Sequence, residues 1–121
     1  GWTVEAILAR YDRNPLLAGV TLSGGEPFLQ PGPMAAIAAG VKERGGNVWC
    51  YTGYTLEETL RLAATDPEVE TLLSLVDVLV DGRFDLSRQS LSLRYRGSAN
   101  QRVLDLPRSL ECGRAVLLPN C

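Results

Sequence analysis

The segment Ser23–Pro27, with the sequence Ser-Gly-Gly-Glu-Pro, combines residue types that can bind a small molecule. It directly follows a short apolar run, Gly19–Leu22. Adjacent glycines adopt positive φ angles and let the backbone come close to a ligand. Pro27 fixes the direction of the chain and donates no N–H, and Glu26 is the nearest charge. This pattern predicts a site for a cationic or zwitterionic ligand; the alternative is an ordinary loop with Glu26 in solvent.

Two further polar turns follow short β-rich runs. Thr52 and Gly53 come directly after Asn47–Tyr51, and Asp81-Gly82-Arg83 comes directly after Val78–Val80. Helical segments separate these runs, which is typical of repeated βα units and a parallel sheet. Because parallel strands present their carboxyl ends at one edge of a sheet, we expect the three turns to converge on a single site.

Local signals predict four helices that would position these strands. The first begins after Thr3 as N-cap, the second has Pro33 in its first turn, the third begins at Thr55 and the fourth begins at Asp66-Pro67. Thr55 and Glu58 have the spacing of a capping box. Val103–Leu106 is a candidate fourth strand. The sequence thus predicts an α/β protein.

Composition excludes several classes of function. The 121 residues carry a net charge of −2 without a basic cluster, which gives no reason to expect binding to nucleic acid. No apolar run is long enough to span a membrane, and a cytoplasmic location is the default expectation. The absence of histidine excludes Ser-His and Cys-His nucleophiles. Cys50, Cys112 and Cys121 are irregularly spaced, which favours reduced thiols over disulfides or a structural zinc site.

Taken together, these segments resemble the activating enzymes of glycyl-radical proteins, within the radical S-adenosylmethionine superfamily. Within that family they are most similar to activators of the anaerobic ribonucleoside-triphosphate reductase, and activators of pyruvate formate-lyase are the second choice. The resemblance extends from about Trp2 to about Leu110. Four segments carry it, in the order and rough spacing of the family: Gly19–Pro27, Trp49–Thr55, Val76–Phe84 and Arg96–Arg102.

The resemblance implies a partial parallel (β/α) barrel that holds S-adenosylmethionine against a [4Fe-4S] cluster. Reductive cleavage would give a 5′-deoxyadenosyl radical that takes a hydrogen atom from a glycine of the reductase, with an electron donor such as flavodoxin. The Gly-Gly-Glu-Pro turn would bind the amino group of the methionine moiety. Asp81 and Arg83 would lie near the ribose and carboxylate. The implied cofactor-binding residues are Ser23, Gly24, Gly25, Glu26, Tyr51, Thr52, Asp81, Arg83, Asn100 and Arg102.

One departure from the family bears on mechanism. The Cys-x-x-x-Cys-x-x-Cys loop that supplies three thiolates to the cluster does not occur in this sequence. We therefore interpret the chain as the cofactor-binding C-terminal portion of an activating enzyme, with an incomplete domain over residues 1–110 and a tail over 111–121. By itself it would be inactive. The alternatives are a non-catalytic module that binds S-adenosylmethionine or the reductase, and an unrelated α/β enzyme that uses Glu26 and Asp81 as acid and base.

Overall fold

A computed structural model describes residues 3–13, 19–22, 26–83 and 101–118. Predictions on Ser23, Gly24, Gly25, Asn100 and Cys121 lie outside these residues. The described elements are α1 (Val4–Asp12), β1 (Gly19–Leu22), a 3₁₀ helix (Pro27–Leu29), α2 (Pro31–Glu43), β2 (Asn47–Tyr51), α3 (Leu56–Ala63), α4 (Pro67–Leu75), β3 (Val78–Asp81), β4 (Arg102–Asp105) and α5 (Leu106–Cys112).

Side-chain caps start most of these helices where the sequence predicts. The hydroxyl of Thr3 accepts a hydrogen bond from the Ala6 amide at 3.1 Å. Thr55 and Glu58 form both bonds of the predicted capping box, at 3.1 and 2.9 Å. The Asp66 carboxylate caps α4 through the Glu68 amide at 3.0 Å. Each cap satisfies a backbone N–H that has no partner inside its helix.

The four strands form one mixed sheet in the order β1-β2-β3-β4. β1, β2 and β3 are parallel, which confirms the predicted βα repeat. β4 is antiparallel to β3, so the prediction of a parallel sheet does not extend to the fourth strand. The register pairs Asp81, the last residue of β3, with Arg102, the first residue of β4. A parallel β4 would have separated these two opposite charges by the length of the strand.

The helices pack on one face of the sheet. Alternate strand residues that include Leu22, Val48, Cys50, Leu79 and Leu104 point into the main core, together with α2 and α4. Val78, Val80 and Val103 form a smaller cluster with Trp49 and Tyr51 on the opposite face. The period of two along each strand therefore places successive side chains in different environments.

Two ion pairs connect α2 to its neighbours away from the predicted site. Lys42, near the end of α2, donates to Asp77 at 2.6 Å, and the other oxygen of Asp77 accepts from the Val48 amide at 2.7 Å. Arg44 donates to both oxygens of Asp12 at 2.5 and 3.1 Å and so joins α2 to α1. None of the helices described in the structure is long and apolar enough to cross a membrane.

Candidate functional site

The carboxyl ends of β1, β2 and β3 lie side by side, and β4 begins beside them because it runs in the opposite direction. We call this region the site edge. It brings together residues that are far apart in sequence: Glu26 after β1, Thr52 after β2, Asp81 at the end of β3 and Arg102 at the start of β4. The predicted convergence of the three turns on one region is therefore present in the fold.

Glu26 links the end of β1 to the turn that follows β2. Its Oε1 accepts from the Gly53 amide at 2.7 Å. Its Oε2 accepts from the Thr52 hydroxyl at 2.7 Å and from the Phe28 amide at 3.1 Å, which caps the 3₁₀ helix. Hydrogen bonds to a charged acceptor are stronger than neutral ones, so this carboxylate restrains both turns.

The turn at residues 52–55 is further ordered by Thr52, which is 5% exposed. Its amide donates to the Val80 carbonyl at 3.0 Å and its hydroxyl accepts from the Tyr54 amide at 3.1 Å. An added Cβ on Gly53 would lie at ordinary van der Waals distance from its neighbours, 3.4 Å from Glu26 Oε1 and 3.8 Å from the Arg83 Cγ. The approach of the Glu26 carboxylate therefore rests on the Gly53 backbone N–H, which any residue except proline would supply.

Asp81 holds the far end of the segment that joins β2 to α3. This residue is 1% exposed, and its Oδ2 accepts from the Leu56 amide, the first of α3, at 2.7 Å. Arg102 contacts both carboxylate oxygens, with Nε at 3.0 Å from Oδ1 and Nη2 at 2.5 Å from Oδ2. Arg102 Nη2 also donates to Glu57 at 2.8 Å. The hydrogen bond to Asp81 is the main reason that the pKa of Arg102 is raised, so the guanidinium stays charged.

The turn after β3 is also tied to its surroundings. Gly82 has a φ of 94°, a left-handed conformation that favours glycine. Its amide donates to the Tyr54 carbonyl at 2.8 Å, and its carbonyl accepts from the buried Gln101 side chain at 3.1 Å. Gln101 and Glu57 were not among the predicted site residues. For Gln101 the only available signal was its position next to Arg102 in the sequence. For Glu57 it was a position in the first turn of α3.

Tyr51 lies on a different face of the sheet from Asp81 and Arg102. Its half-buried side chain belongs to the cluster with Trp49 on the face opposite the helices. Together with Thr21 and Trp49 it lines a shallow concavity of about 290 Å³. The structure thus separates Tyr51 from Thr52, as expected for neighbouring residues at the end of a strand.

In the part of the site edge that the structure describes, carboxylates outnumber guanidiniums. The pKa of Glu57 is lowered, first by a backbone hydrogen bond and then by Arg102. The pKa of Glu58 is lowered mainly by its hydrogen bond from the Thr55 backbone and to a smaller extent by Arg83. Among the described residues, this region contains four carboxylates and two guanidiniums: Glu26, Glu57, Glu58 and Asp81 with Arg83 and Arg102. An excess of carboxylates among these described residues favours a cationic ligand.

The described thiols do not fit an iron–sulfur cluster. Cys50 is fully buried in β2, and burial, with a smaller contribution from the Glu26 charge, raises its pKa to about 12. Cys112 is exposed on α5. Within the described residues no group of three or more Cys, His, Asp or Glu side chains could hold a metal ion. Since a [4Fe-4S] cluster needs three or four thiolates, we assign it to no residue in this part of the chain.

Comparison with known proteins defines the class to which this fold and site belong. A family model described as a 4Fe-4S single cluster domain matches residues 3–104. The chain therefore belongs to the 4Fe-4S single cluster domain family. The match covers every described strand except the last residue of β4.

Individual proteins that are similar in sequence to this chain share one name, anaerobic ribonucleoside-triphosphate reductase-activating protein. The chain is 39% identical over 88 residues to the protein of Pasteurella multocida and 38% identical over 88 residues to that of Vibrio cholerae. It is 39% identical over 90 residues to that of Escherichia coli strain K12. These alignments cover 69–70% of this chain and 52–54% of the relatives, so the chain spans about half their length. The resemblance seen in the sequence is confirmed.

We predict that Asp81→Asn destabilises the protein by about 2–3 kcal/mol. Removing one partner of a fully buried ion pair costs about 3–5 kcal/mol, and Arg102 here retains partial access to water, which reduces the loss. Urea denaturation measures the free energy of unfolding. Glu57→Gln is the matched control because it removes only the exposed half of the network, for which we expect a change below about 1 kcal/mol. Equal losses in the two variants would contradict the assignment of Asp81 as the central partner.

We predict that iodoacetamide at pH 8 labels Cys112 in the folded protein and leaves Cys50 unmodified. With a pKa of about 12, Cys50 is thiolate in only about one molecule in ten thousand at this pH, and the strand also shields it from the reagent. Peptide mass spectrometry gives the labelling rate of each thiol, and labelling in urea provides the unfolded reference. Native labelling of Cys50 at the rate of Cys112 would show that β2 is not buried as described.

Proposed function

We propose that this chain provides the S-adenosylmethionine-binding part of a radical enzyme that activates anaerobic ribonucleoside-triphosphate reductase. The observation that carries the proposal is the site edge, where three strand ends place more carboxylates than guanidiniums, among the described residues, around glycine-containing turns. S-adenosylmethionine is a sulfonium cation with an amino group, so a negative cradle suits it. The relatives, whose name states the activation of this reductase, support the assignment.

Each part of the site edge has a role in this proposal. The amino group would be bound by the backbone of Ser23, Gly24 and Gly25, and Glu26 would bind it or shape its site. Thr52 and the 52–55 turn would lie along the ligand, with Asp81 and Arg83 towards its ribose and carboxylate. The remaining proposed residues are Tyr51, Asn100 and Arg102. Bound there, the cofactor would supply hydrogen-atom abstraction directed at a glycine of the reductase, with the required electron coming from a cluster held by thiolates outside the described residues.

The mixed sheet is consistent with a place in a partial (β/α) barrel of the radical S-adenosylmethionine type. Its three parallel strands carry their helices on one face, as in a barrel. In that proposal the opposite face, with Trp49 and Tyr51, would point towards the barrel interior. A cytoplasmic location and an electron donor such as flavodoxin belong to the same proposal.

A second candidate is a non-catalytic module that binds S-adenosylmethionine or the reductase without radical chemistry. The thiols favour it for these 121 residues taken alone, because Cys50 is buried and Cys112 lies on α5. The two candidates share the binding site and differ in whether thiolates from another segment complete a cluster. An unrelated acid–base enzyme is disfavoured, since protein donors already engage the carboxylates of Glu26 and Asp81.

We predict that the chain binds S-adenosylmethionine saturably in equilibrium dialysis and develops no [4Fe-4S] absorbance after anaerobic treatment with iron and sulfide. Glu58→Gln should weaken binding about two- to fourfold at low salt, the effect of one screened charge, because glutamine still serves the capping box. Glu43→Gln is the matched control. Glu43 is the last residue of α2, and the first residue of that helix is the one near the site edge, so Glu43 lies at the distant end.

Failure of the wild-type chain to bind S-adenosylmethionine would overturn the proposed function. A full cluster spectrum from this chain alone would contradict the conclusion that the described thiols do not fit a cluster. It would favour the complete radical enzyme over the binding module. Equal weakening by Glu58→Gln and Glu43→Gln would show that the effect reflects net charge and not the site edge.

A further inference from the structure

Glu26 is the charged residue of the Ser-Gly-Gly-Glu-Pro turn, and its carboxylate is largely occupied by the protein itself. Three donors reach it: the Gly53 amide at 2.7 Å, the Thr52 hydroxyl at 2.7 Å and the Phe28 amide at 3.1 Å. A carboxylate offers about four acceptor positions. Three of these are therefore used by groups of the described chain, and one remains.

The hydrogen bonds to Glu26 restrain the turn that follows β2. Gly53 is joined to Glu26 through its backbone amide, which donates to Oε1 at 2.7 Å. Thr52 in turn accepts from the Tyr54 amide, so the carboxylate and the hydroxyl together define the path of residues 52–54. Asp81 fixes the far end of the same connection through the Leu56 amide. The connection between β2 and α3 is thus held from both neighbouring strands.

We propose that Glu26 is a positioning residue that holds the 52–55 turn in its ligand-binding conformation, rather than the ion-pair partner of the ligand's ammonium group. This inference rests on the proposed function, because it concerns how the same site binds S-adenosylmethionine. Its chemical basis is that Glu26 acts by accepting hydrogen bonds from the protein. The length and acceptor geometry of its side chain then matter more than its charge.

Two substitutions separate length from charge. Glu26→Gln keeps the length, and its amide oxygen accepts from Gly53 while its NH₂ donates to the Thr52 hydroxyl. The bond from the Phe28 amide is lost, and the Thr52 hydroxyl, which donates to Glu26 in the wild type, becomes an acceptor. Glu26→Asp keeps the charge but is one methylene shorter and does not reach Gly53. Positioning predicts that Gln retains affinity better than Asp, whereas a direct ion pair predicts the reverse order.

The binding experiment uses S-adenosylmethionine and 5′-methylthioadenosine, which lacks the amino-acid moiety. We expect Glu26→Gln to weaken both ligands less than about threefold, and Glu26→Asp to weaken both about tenfold or more. The ratio of the two dissociation constants should stay constant, because a displaced turn affects the whole cradle. A loss of S-adenosylmethionine affinity in Glu26→Gln with unchanged methylthioadenosine affinity would overturn the inference.

A readout without ligand keeps this test separate from the proposed function. Hydrogen exchange of the Gly53 amide, measured by NMR, should accelerate about tenfold or more in Glu26→Asp and stay close to wild type in Glu26→Gln. Equal exchange rates in the three proteins would overturn the inference. Absence of S-adenosylmethionine binding by wild type, with the expected exchange pattern, would overturn the proposed function and leave the role of Glu26 standing.

Discussion

Asp81 places a carboxylate at the end of the most buried strand, and a charge in that position is stable only when donors surround it. The Leu56 amide and the Arg102 guanidinium supply those donors. The first joins β3 to the start of α3, and the second joins β3 to β4. β4 begins at the site edge and runs antiparallel to β3, which places Arg102 beside Asp81. One buried carboxylate therefore joins the end of β3 to the start of a helix and to the start of a strand.

Local sequence signals predicted the elements that depend on local physics. The caps at Thr3, Thr55 and Asp66 are present. Each needs only a hydrogen bond between one side chain and an amide two or three residues later, which local sequence predicts. The three parallel strands followed from apolar runs separated by helices. The antiparallel direction of β4 was not predictable in this way, because it depends on the pairing of Asp81 with Arg102, 21 residues apart. α5 also lacked a sequence-based prediction, although Asp105 caps it through the Arg108 amide at 3.1 Å.

The location of the candidate site was predictable, and the use of its side chains was not. Parallel topology alone brings the turns after β1, β2 and β3 to one edge. Which atoms Glu26 contacts depends on the backbone path of residues 52 and 53, which becomes evident only in three dimensions. The same holds for the thiols: their spacing indicated no cluster motif, and the fold adds that Cys50 is buried with a raised pKa. The chain belongs to the 4Fe-4S single cluster domain family, and within the described residues no group of side chains could hold a metal ion.

We propose that the ligand lies at the site edge formed by the three parallel strand ends. An NMR titration of the isotope-labelled chain with S-adenosylmethionine tests this placement most directly, because each backbone amide reports its own environment. We expect saturable shifts at Thr52, Gly53 and Gly82, with little change in the groove between α3 and α4 that Leu60 and Leu73 line. Shifts confined to that groove, or no shifts at saturating ligand, would contradict this placement.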